Sequence, residues 1–403
     1  MNHIKVHNRI RITFISLLIF FSISLSAQNS RAQYPGFMKN SYYGINLGYI
    51  HYPFSDQHLE PGFSAETIDI PGTAVRLILY GRQINDYVSM HISYMRPVLW
   101  VVYWNIDGQE TRNSIRNMNV GGLTAKAQYP INNRFTVFGE FGLAVITRRG
   151  FTIDGETVMR DANYSTYQVV GGMKYRLNEK FDLIFHGVYS PANEKANHPY
   201  TVFFAPGFQY NINPLPEETV QSNLSTGNIF PKHQIMFEYS TNSMGYGVND
   251  FFSRRTIPVF WGGAVEVEKG ISVNYQRNIF HTRKVFSLDF GASASYFETI
   301  HGTSFQTLAA YPVFRFHLLR AKPADLYFFY ILGGPTYITD STIDDIDTGK
   351  RFTFHDYMGL GIYTGHSRNI IAEIKIGHYS NGNIFSQNAG VKIPLTFAIG
   401  YAF

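Results

Sequence analysis

The end of the chain alternates between large apolar and small side chains with a period of two residues, which is the period of a β-strand. The large side chains of one face are Leu395, Phe397, Ile399, Tyr401 and Phe403. The small side chains of the other face are Thr396, Ala398, Gly400 and Ala402. A soluble sheet carries charged residues on its solvated face, and neither face of this strand has any. The pattern therefore favours a small transmembrane β-barrel, with the large side chains against lipid and the small ones in a tight lumen.

The composition supports an all-β membrane protein. Only 16% of the residues are charged, against about 25% in soluble domains, whereas 16% are aromatic. After the N-terminus, no apolar stretch approaches the ~20 residues of a membrane helix. The net charge of +5 comes from scattered basic residues, so no nucleic-acid partner is expected. The absence of cysteine excludes disulfides, thiolate metal sites, a cysteine nucleophile and an acylated N-terminal cysteine.

The N-terminus has the organisation of a secretory signal peptide. Lys5, Arg9 and Arg11 precede an apolar core over residues 12–25, and small residues suitable for cleavage follow at Ala27 and Ala32. The apolar run is too short for a membrane anchor. We therefore expect residues 1–27 to be a signal peptide and the mature chain to be exported.

The first half of the chain, residues 40–213, predicts eight transmembrane strands. Short turns at 82–86, 130–134 and 178–180 alternate with long loops at 53–72, 105–117 and 149–165, as is typical of outer-membrane barrels. The predicted strands are 42–52, 73–80, 88–104, 119–129, 135–148, 167–176, 181–189 and 201–212.

The second half predicts eight more strands after a linker. Residues 214–255 contain Pro214 and Pro216 and form the linker, in which 233–240 is interpreted as a partial strand. The strands predicted in residues 256–403 are 257–268, 271–280, 285–297, 305–318, 325–338, 352–364, 369–380 and 393–403. The fold class is therefore a transmembrane antiparallel β-barrel with about 16 strands. Two eight-stranded barrels and a single 16-stranded barrel both fit this count.

The strand over residues 369–380 carries the candidate chemistry. Glu373 and Lys375 belong on the lumen side, so the alternation places His378 and Ser380 on the lipid-facing side, at the end with the long loops. A serine beside a histidine forms a nucleophile and its general base, which at a lipid boundary would act on an acyl ester. The alternative is a polar rim where the strand leaves the membrane.

The residues around this pair resemble the motif of the lipid A 3-O-deacylase family. The resemblance rests on the run from His378 through Ser380 and Asn381 to Ile384, followed by Asn388-Ala389-Gly390. Members of that family are eight-stranded outer-membrane barrels that hydrolyse an ester-linked acyl chain of lipid A. The resemblance implies that Ser380 is the nucleophile and His378 the base, that Asn381 helps to form an oxyanion hole, and that Asn388 and Gly390 shape the loop.

One position departs from the family pattern. Lys392 stands where the family has the acidic residue that orients the histidine, and an ammonium cannot accept a hydrogen bond from imidazole. Asp356 could replace that acid, since it shares a face with Phe354 and Met358. The predicted strand boundaries, however, do not bring Asp356 level with His378.

The first half of the chain and its last residue also resemble features of outer-membrane barrels. The first half is similar to OmpA-type barrels in strand count and in its glycine and aromatic content, and the terminal Phe403 resembles the signal by which the barrel-assembly machinery recognises its substrates. We therefore expect a protein of the Gram-negative outer membrane with lipopolysaccharide as its lipid partner and no cofactor or metal. Two functions remain open: a lipid A deacylase-like ester hydrolase, or a non-catalytic channel, anchor or receptor that retains a remnant motif.

Overall fold

The computed structural model describes residues 31–253, 262–385 and 387–403. The predicted signal peptide lies outside these residues. The chain divides into two compact units, one formed mainly by Phe37–Pro214 and the other mainly by Leu215–Gly382 with Gln387–Phe403. Each unit contains one closed antiparallel barrel of eight strands. The interpretation as two eight-stranded barrels is therefore confirmed, and the alternative of a single 16-stranded barrel is wrong.

The first barrel consists of strands β1 to β8, each paired with its neighbours in sequence. The barrel closes because β1 pairs with β8 as well as with β2. The strands are β1 (Ser41–His51), β2 (Thr73–Gln83), β3 (Val88–Pro97), β4 (Arg116–Pro130), β5 (Phe135–Arg149), β6 (Ala162–Arg176), β7 (Phe181–Ser190) and β8 (Thr201–Ile212). Three short turns lie at one end, and four long connections lie at the other.

The long connections of the first barrel contain ordered structure of their own. Ala65–Asp69, Val102–Ile106 and Arg112–Ser114 form a small sheet, and Phe151–Ile153 pairs with Glu156–Met159. The predicted strand over 88–104 is wrong, because β3 ends at Pro97 and residues 102–106 belong to the loop sheet. Proline has no N–H group with which to continue the ladder, so a strand readily ends there.

The second barrel consists of strands β9 to β16 and closes through the pairing of β9 with β16. The strands are β9 (His233–Thr241), β10 (Val265–His281), β11 (Phe286–Thr299), β12 (Ser304–Arg320), β13 (Ala324–Ile338), β14 (Phe352–Thr364), β15 (Ile370–Ser380) and β16 (Val391–Ala402). Helix α1 (Glu217–Leu224) lies between the barrels in sequence, and helix α2 (Gly247–Ser253) follows β9. Among the described helices, none is long and apolar enough to cross a membrane.

The start of the second barrel corrects the sequence interpretation. Residues 233–240 are not a partial strand, because β9 pairs along its length with β10 and β16. The strands predicted at 257–268 and 271–280 are instead joined in one strand, β10, over Val265–His281, and residues 257–261 of the first prediction lie outside the described residues. Gly270 is not a turn residue, since it makes room for the Phe297 ring, whose nearest atom would lie 2.2 Å from an added Cβ. The prediction thus had one crossing too few at 233–240 and one too many between 257 and 280. The number of crossings is therefore unchanged, and the later loops lie on the predicted sides.

The predicted alternation of the last strand is confirmed. Phe397, Ile399 and Tyr401 are 42–66% exposed on the outer face of β16, whereas Thr396 and Ala398 are buried in the lumen. An apolar outer face suits contact with lipid. Closure of the barrel lets the strands pair their backbone groups with one another, which a lipid environment also requires.

The lumen of the second barrel is filled by side chains. Arg315 forms an ion pair with Asp289, and Lys375 forms one with Glu238. Four tyrosines, each at most 1% exposed, pack around these charges: Tyr311, Tyr327, Tyr363 and Tyr379. A lumen packed in this way does not favour the channel that was one of the alternative functions.

Candidate active site

Three polar residues lie side by side across the outer surface of the second barrel. His378 of β15 is directly opposite Asp356 of β14 on one side and Lys392 of β16 on the other. This row lies near the end of the barrel that carries the long loops. The expectation that Asp356 is not level with His378 is therefore wrong.

Asp356 is fixed beside the histidine by a distortion of β13. Its Oδ2 lies 3.7 Å from His378 Nε2, and its Oδ1 accepts a hydrogen bond of 2.6 Å from Gly333 N–H. The pairing of β13 with β14 is irregular between Ile331 and Gly334, and Gly333 has a φ of +63° that favours glycine. The bulge thus directs a backbone donor at the carboxylate and leaves the other oxygen towards the imidazole.

Lys392 is paired with carboxylates other than Asp356. Its Nζ lies 2.9 Å from Glu266 Oε1 on β10 and 3.2 Å from Asp250 Oδ1 on α2. The ammonium also lies 4.7 Å from the centre of the Tyr246 ring. A cation beside His378 is thus compensated locally, and the acid that faces the histidine comes from the strand on the opposite side.

His378 and Ser380 occupy the same outward face of β15. Tyr379 between them points into the lumen, where its hydroxyl lies 3.1 Å from Thr307 Oγ1. Two positions along a strand correspond to about 7 Å, so the two side chains are neighbours. His378 is fully buried and Ser380 is partly exposed. Ser380 Oγ accepts a hydrogen bond of 3.4 Å from Gly382 N–H.

Asn381 joins two outer loops through its hydrogen bonds. Its side-chain amide donates to the carbonyls of Thr348 and Gln387, and its backbone N–H donates to Asn388 Oδ1 at 2.8 Å. Both partners of the side-chain donor are backbone oxygens. The implied role of Asn381 as a donor to an oxyanion stays a prediction.

Gly390 is required by the geometry of the same loop. It has a φ of +71°, and an added Cβ would lie 3.3 Å from backbone atoms of Gly262, Gly263 and Tyr379. The Gly390 carbonyl also accepts a hydrogen bond from Val265 N–H. Asn388 and Gly390 thus hold the loop against β15 and the segment that precedes β10.

An apolar cluster lies directly below the polar row. Met358 and Ile376 pair across β14 and β15, two residues from Asp356 and His378 on the same outward face. Phe252 of α2 packs on this pair together with Phe328, Tyr330 and Leu395. Sequence reasoning missed α2, although the Phe251-Phe252 pair in an otherwise polar loop was an available signal.

No metal site accompanies the row. Within the described part of the chain, no group of three or more His, Asp or Glu side chains is arranged to hold a metal ion.

The comparisons with known proteins agree with the motif. The family model described as lipid A 3-O-deacylase (PagL) matches residues 269–401, which confirms the resemblance in the C-terminal half. No curated protein matches the chain. The match covers most of the second barrel and includes His378, Ser380 and the loop that follows them.

Several solved structures are similar to parts of the chain. The outer membrane enzyme PagL is 14% identical, with 42% of this chain and 98% of that chain covered and a TM-score of 0.29. Ail of Yersinia pestis is 12% identical, with 43% and 99% covered and a TM-score of 0.29. The N-terminal β-barrel domain of OprF from Pseudomonas aeruginosa is 16% identical, with 43% and 98% covered and a TM-score of 0.27.

The predicted localisation is confirmed. Two closed barrels with apolar outer faces, together with the match of residues 269–401 to the lipid A 3-O-deacylase family, make the chain an outer-membrane β-barrel protein.

Proposed function

We propose that the second barrel is a serine-type hydrolase that removes an ester-linked acyl chain from lipid A in the outer leaflet. The observation that carries the proposal is the row in which Asp356 faces His378, beside Ser380 and on the lipid-facing side of the barrel. Such a position suits an ester that lies at the boundary between headgroup and hydrocarbon. The substrate class comes from the match of residues 269–401 to the deacylase family.

The three residues have separate roles in this mechanism. Ser380 Oγ attacks the ester carbonyl, and His378 takes the serine proton and gives it to the leaving alcohol, which leaves the acyl chain on Ser380. His378 then takes a proton from a water molecule that attacks this acyl ester, and it returns the proton to Ser380 as the fatty acid leaves. Asp356 fixes the orientation of the ring and stabilises the imidazolium that forms. Since Nε2 faces Asp356 at 3.7 Å, Nδ1 is the nitrogen that exchanges the proton with Ser380. Catalytic hydrogen bonds are often long without substrate and shorten in the complex.

The oxyanion requires a donor close to the nucleophile. Gly382 N–H lies 3.4 Å from Ser380 Oγ and is therefore within reach of the oxygen that becomes negative. The donors of Asn381 are engaged by backbone and by Asn388. We assign Asn381, Asn388 and Gly390 to the support of the loop that carries Gly382.

Two partners belong to this proposed function: lipopolysaccharide and the barrel-assembly machinery. The lipid partner is lipopolysaccharide, because lipid A is its membrane anchor. Export by the signal peptide at residues 1–27 and recognition of Phe403 by the barrel-assembly machinery belong to the same proposal.

A non-catalytic anchor or receptor is the second candidate function. The observation that favours it is Lys392 at the position of the family's acid. The ion pairs of Lys392 with Glu266 and Asp250, and the presence of Asp356 on the other side of His378, reduce the weight of that observation.

Mass spectrometry of lipid A separates the two candidates. Cells would express the wild type, Ser380→Ala, and Ser190→Ala as the matched control, since Ser190 ends the equivalent strand of the first barrel but points inward and is fully buried. We expect the wild type and the control to remove one ester-linked acyl chain and Ser380→Ala to remove none. Identical lipid A in all three strains, with folded protein in the outer membrane, would reject the hydrolase in favour of the non-catalytic barrel.

A further inference from the structure

Part of the lipid-facing surface of the second barrel is covered. Most outward apolar side chains of this barrel are open to the surroundings, as at Leu360 and Ile374, which are 45% and 40% exposed. Met358 and Ile376 lie on the same strands and face the same way, but they are only 8% and 3% exposed. A lipid-facing residue needs no protein cover, so this cover calls for an explanation.

Helix α2 contributes the cover. Phe252 packs on Met358 and Ile376. The helix is fastened to β16 by a hydrogen bond of 2.8 Å from Asn249 Nδ2 to the Ile393 carbonyl. The ion pair of Asp250 with Lys392 is a second attachment. Phe251, the neighbour of Phe252 on the helix, is 54% exposed and takes no part in the apolar cluster.

The covered pair lies between the nucleophile and the bilayer interior. Ser380 is at the outer end of β15, and Ile376 is four residues nearer the periplasmic end, or about 13 Å along the strand. An acyl chain whose ester carbonyl is at Ser380 runs from there towards the middle of the bilayer. Its path along the strands crosses Met358 and Ile376, where the structure holds Phe252.

We propose that Phe252 occupies the path of the substrate's hydrocarbon chain over Met358 and Ile376, and that a chain binds there only when it displaces this ring. The inference rests on the proposed function, since the position of the ester fixes the path of the chain. Exchange of a phenyl ring for a methylene chain needs little free energy in a bilayer, because lipid tails are as apolar as the side chain that leaves. Phe252 is then a specificity-determining residue, because a long chain can bind only when the phenyl ring leaves the site.

The test measures occupation of the site without catalysis. The probe is an ether-linked lipid with a diazirine in the middle of its chain, which cannot be hydrolysed, in vesicles that contain the full-length protein with Ser380→Ala. After illumination, mass spectrometry quantifies labelling of the peptides that contain Met358 and Ile376. We expect Phe252→Ala to raise this labelling several-fold, and the matched control Phe251→Ala to leave it unchanged.

A second variant guards against a local folding defect at Phe252. Asn249→Ala keeps the phenyl ring but removes the hydrogen bond to Ile393, so the helix should leave the surface more often and the labelling should rise. Folding of each variant is checked by the heat-dependent migration of barrels on gels. Equal labelling in Phe252→Ala, Asn249→Ala and Phe251→Ala would overturn the acyl-chain site, and so would labelling confined to other peptides.

The outcomes for this site and for the proposed function are distinguishable. Increased labelling in the two variants without any lipid A deacylation by the wild type would support the acyl-chain site and reject the hydrolase. Deacylation by the wild type with labelling that no variant changes would support the hydrolase and reject the role of Phe252.

Discussion

The seventh strands of the two barrels have the same architecture but different outer faces. Both β7 and β15 run from a short turn to a long loop, and both alternate between the lumen and the membrane. On β7 the outward side chains remain apolar or absent up to the loop, as at Gly187 and Tyr189. On β15 the equivalent end carries His378 and Ser380. The two barrels therefore differ in the polarity of their lipid-facing side at the long-loop end of the seventh strand.

The two lumens are similar in their electrostatics. In the first barrel, Arg76 and His91 both lie 2.9 Å from Glu140. In the second, Arg315 pairs with Asp289 and also lies 3.7 Å from Glu373. Each barrel thus contains a buried arginine paired with carboxylate, beside the apolar residues that fill the rest of its interior. Neither network includes a residue of the proposed site.

The outer loops differ in what they cover. In the first barrel, loop residues such as Tyr103, Ile106 and Val158 join one apolar cluster with the strand residue Ile146, so the loops extend the core of their own barrel. In the second barrel, the loop after β9 places Phe252 on the outer wall. The loop before β14 likewise joins the core of the second barrel through Ile343. The difference therefore lies in the loop after β9, which covers the outer wall below the candidate nucleophile.

The largest expected effect comes from exchanging a histidine in each barrel. We expect His378→Gln to lower the rate of acyl release by about 10³-fold or more, as for the loss of a general base. His186→Gln in the lumen of the first barrel should leave the rate unchanged, because His186 contacts Arg76 and no residue of the site. The measurement is the rate of acyl-chain release from lipid A in vesicles. Equal loss of rate in both variants would show that the two histidines act through folding.

The next effect tests the similarity of the lumens. Arg76→Met and Arg315→Met each leave buried carboxylates without their cation, so each should lower the free energy of unfolding by about 3–5 kcal/mol. Urea unfolding followed by proteolysis and peptide mass spectrometry would assign the loss to the barrel that carries the change. Arg160→Met is the control, because Arg160 pairs with Glu60 at the surface and its side chain is 61% exposed. A loss no greater than that of the control would contradict the structural role of either arginine.

Asp356 should have a smaller effect on the rate than His378. Asp356→Asn keeps an acceptor for Gly333 N–H but removes the charge that stabilises the imidazolium, so we expect kcat to fall by about 10²-fold with little change in KM. Because Asp356 lies 3.7 Å from His378, we expect a smaller loss than in triads with a shorter contact. Asp345→Asn, in the exposed loop before β14, is the matched control. Equal rates in the two variants would remove Asp356 from the mechanism.

The sequence predicted which side of the barrel wall His378 and Ser380 face, but it did not predict which residues pair between β14 and β15. The two-residue alternation placed His378 and Ser380 on the outer face, as the structure has them. The predicted boundaries paired Asp356 with Gly377, whereas the observed turn is one residue longer and pairs it with His378. Left-handed conformations at Gly365 and Arg368 accommodate the longer turn. A shift of one residue reverses which side chains share a face, so turn length decided the identity of the acid.

Two other features could not be read from local patterns. The segments before and after Gly270 were predicted as two strands, whereas Gly270 lies inside one strand and leaves room for the Phe297 ring from the neighbouring strand. The position of Phe252 depends on the long-range hydrogen bond from Asn249 to β16. Both depend on contacts between residues distant in sequence, which a period-two pattern does not contain.

The smallest expected effect concerns Lys392, the residue that most separates this chain from the family pattern. Its carboxylate partners are partly exposed, with the Asp250 and Glu266 side chains at 57% and 33%. We therefore expect Lys392→Met to change the free energy of unfolding by less than about 1 kcal/mol and the rate of acyl release by less than about fivefold. Urea unfolding and the vesicle assay measure the two quantities.

The reason for so small an effect is that the structure already pairs the Lys392 ammonium with carboxylates on β10 and α2, while Asp356 faces the imidazole from β14. A rate increase well beyond fivefold in Lys392→Met would contradict this account, since it would mean that the ammonium opposes the protonation of His378 despite its partners. A small change in Lys392→Met together with a large loss in Asp356→Asn would instead show that the acid can act from either strand beside the histidine. The strand that carries the acid would then matter less than the register that places the acid directly opposite the His378 imidazole.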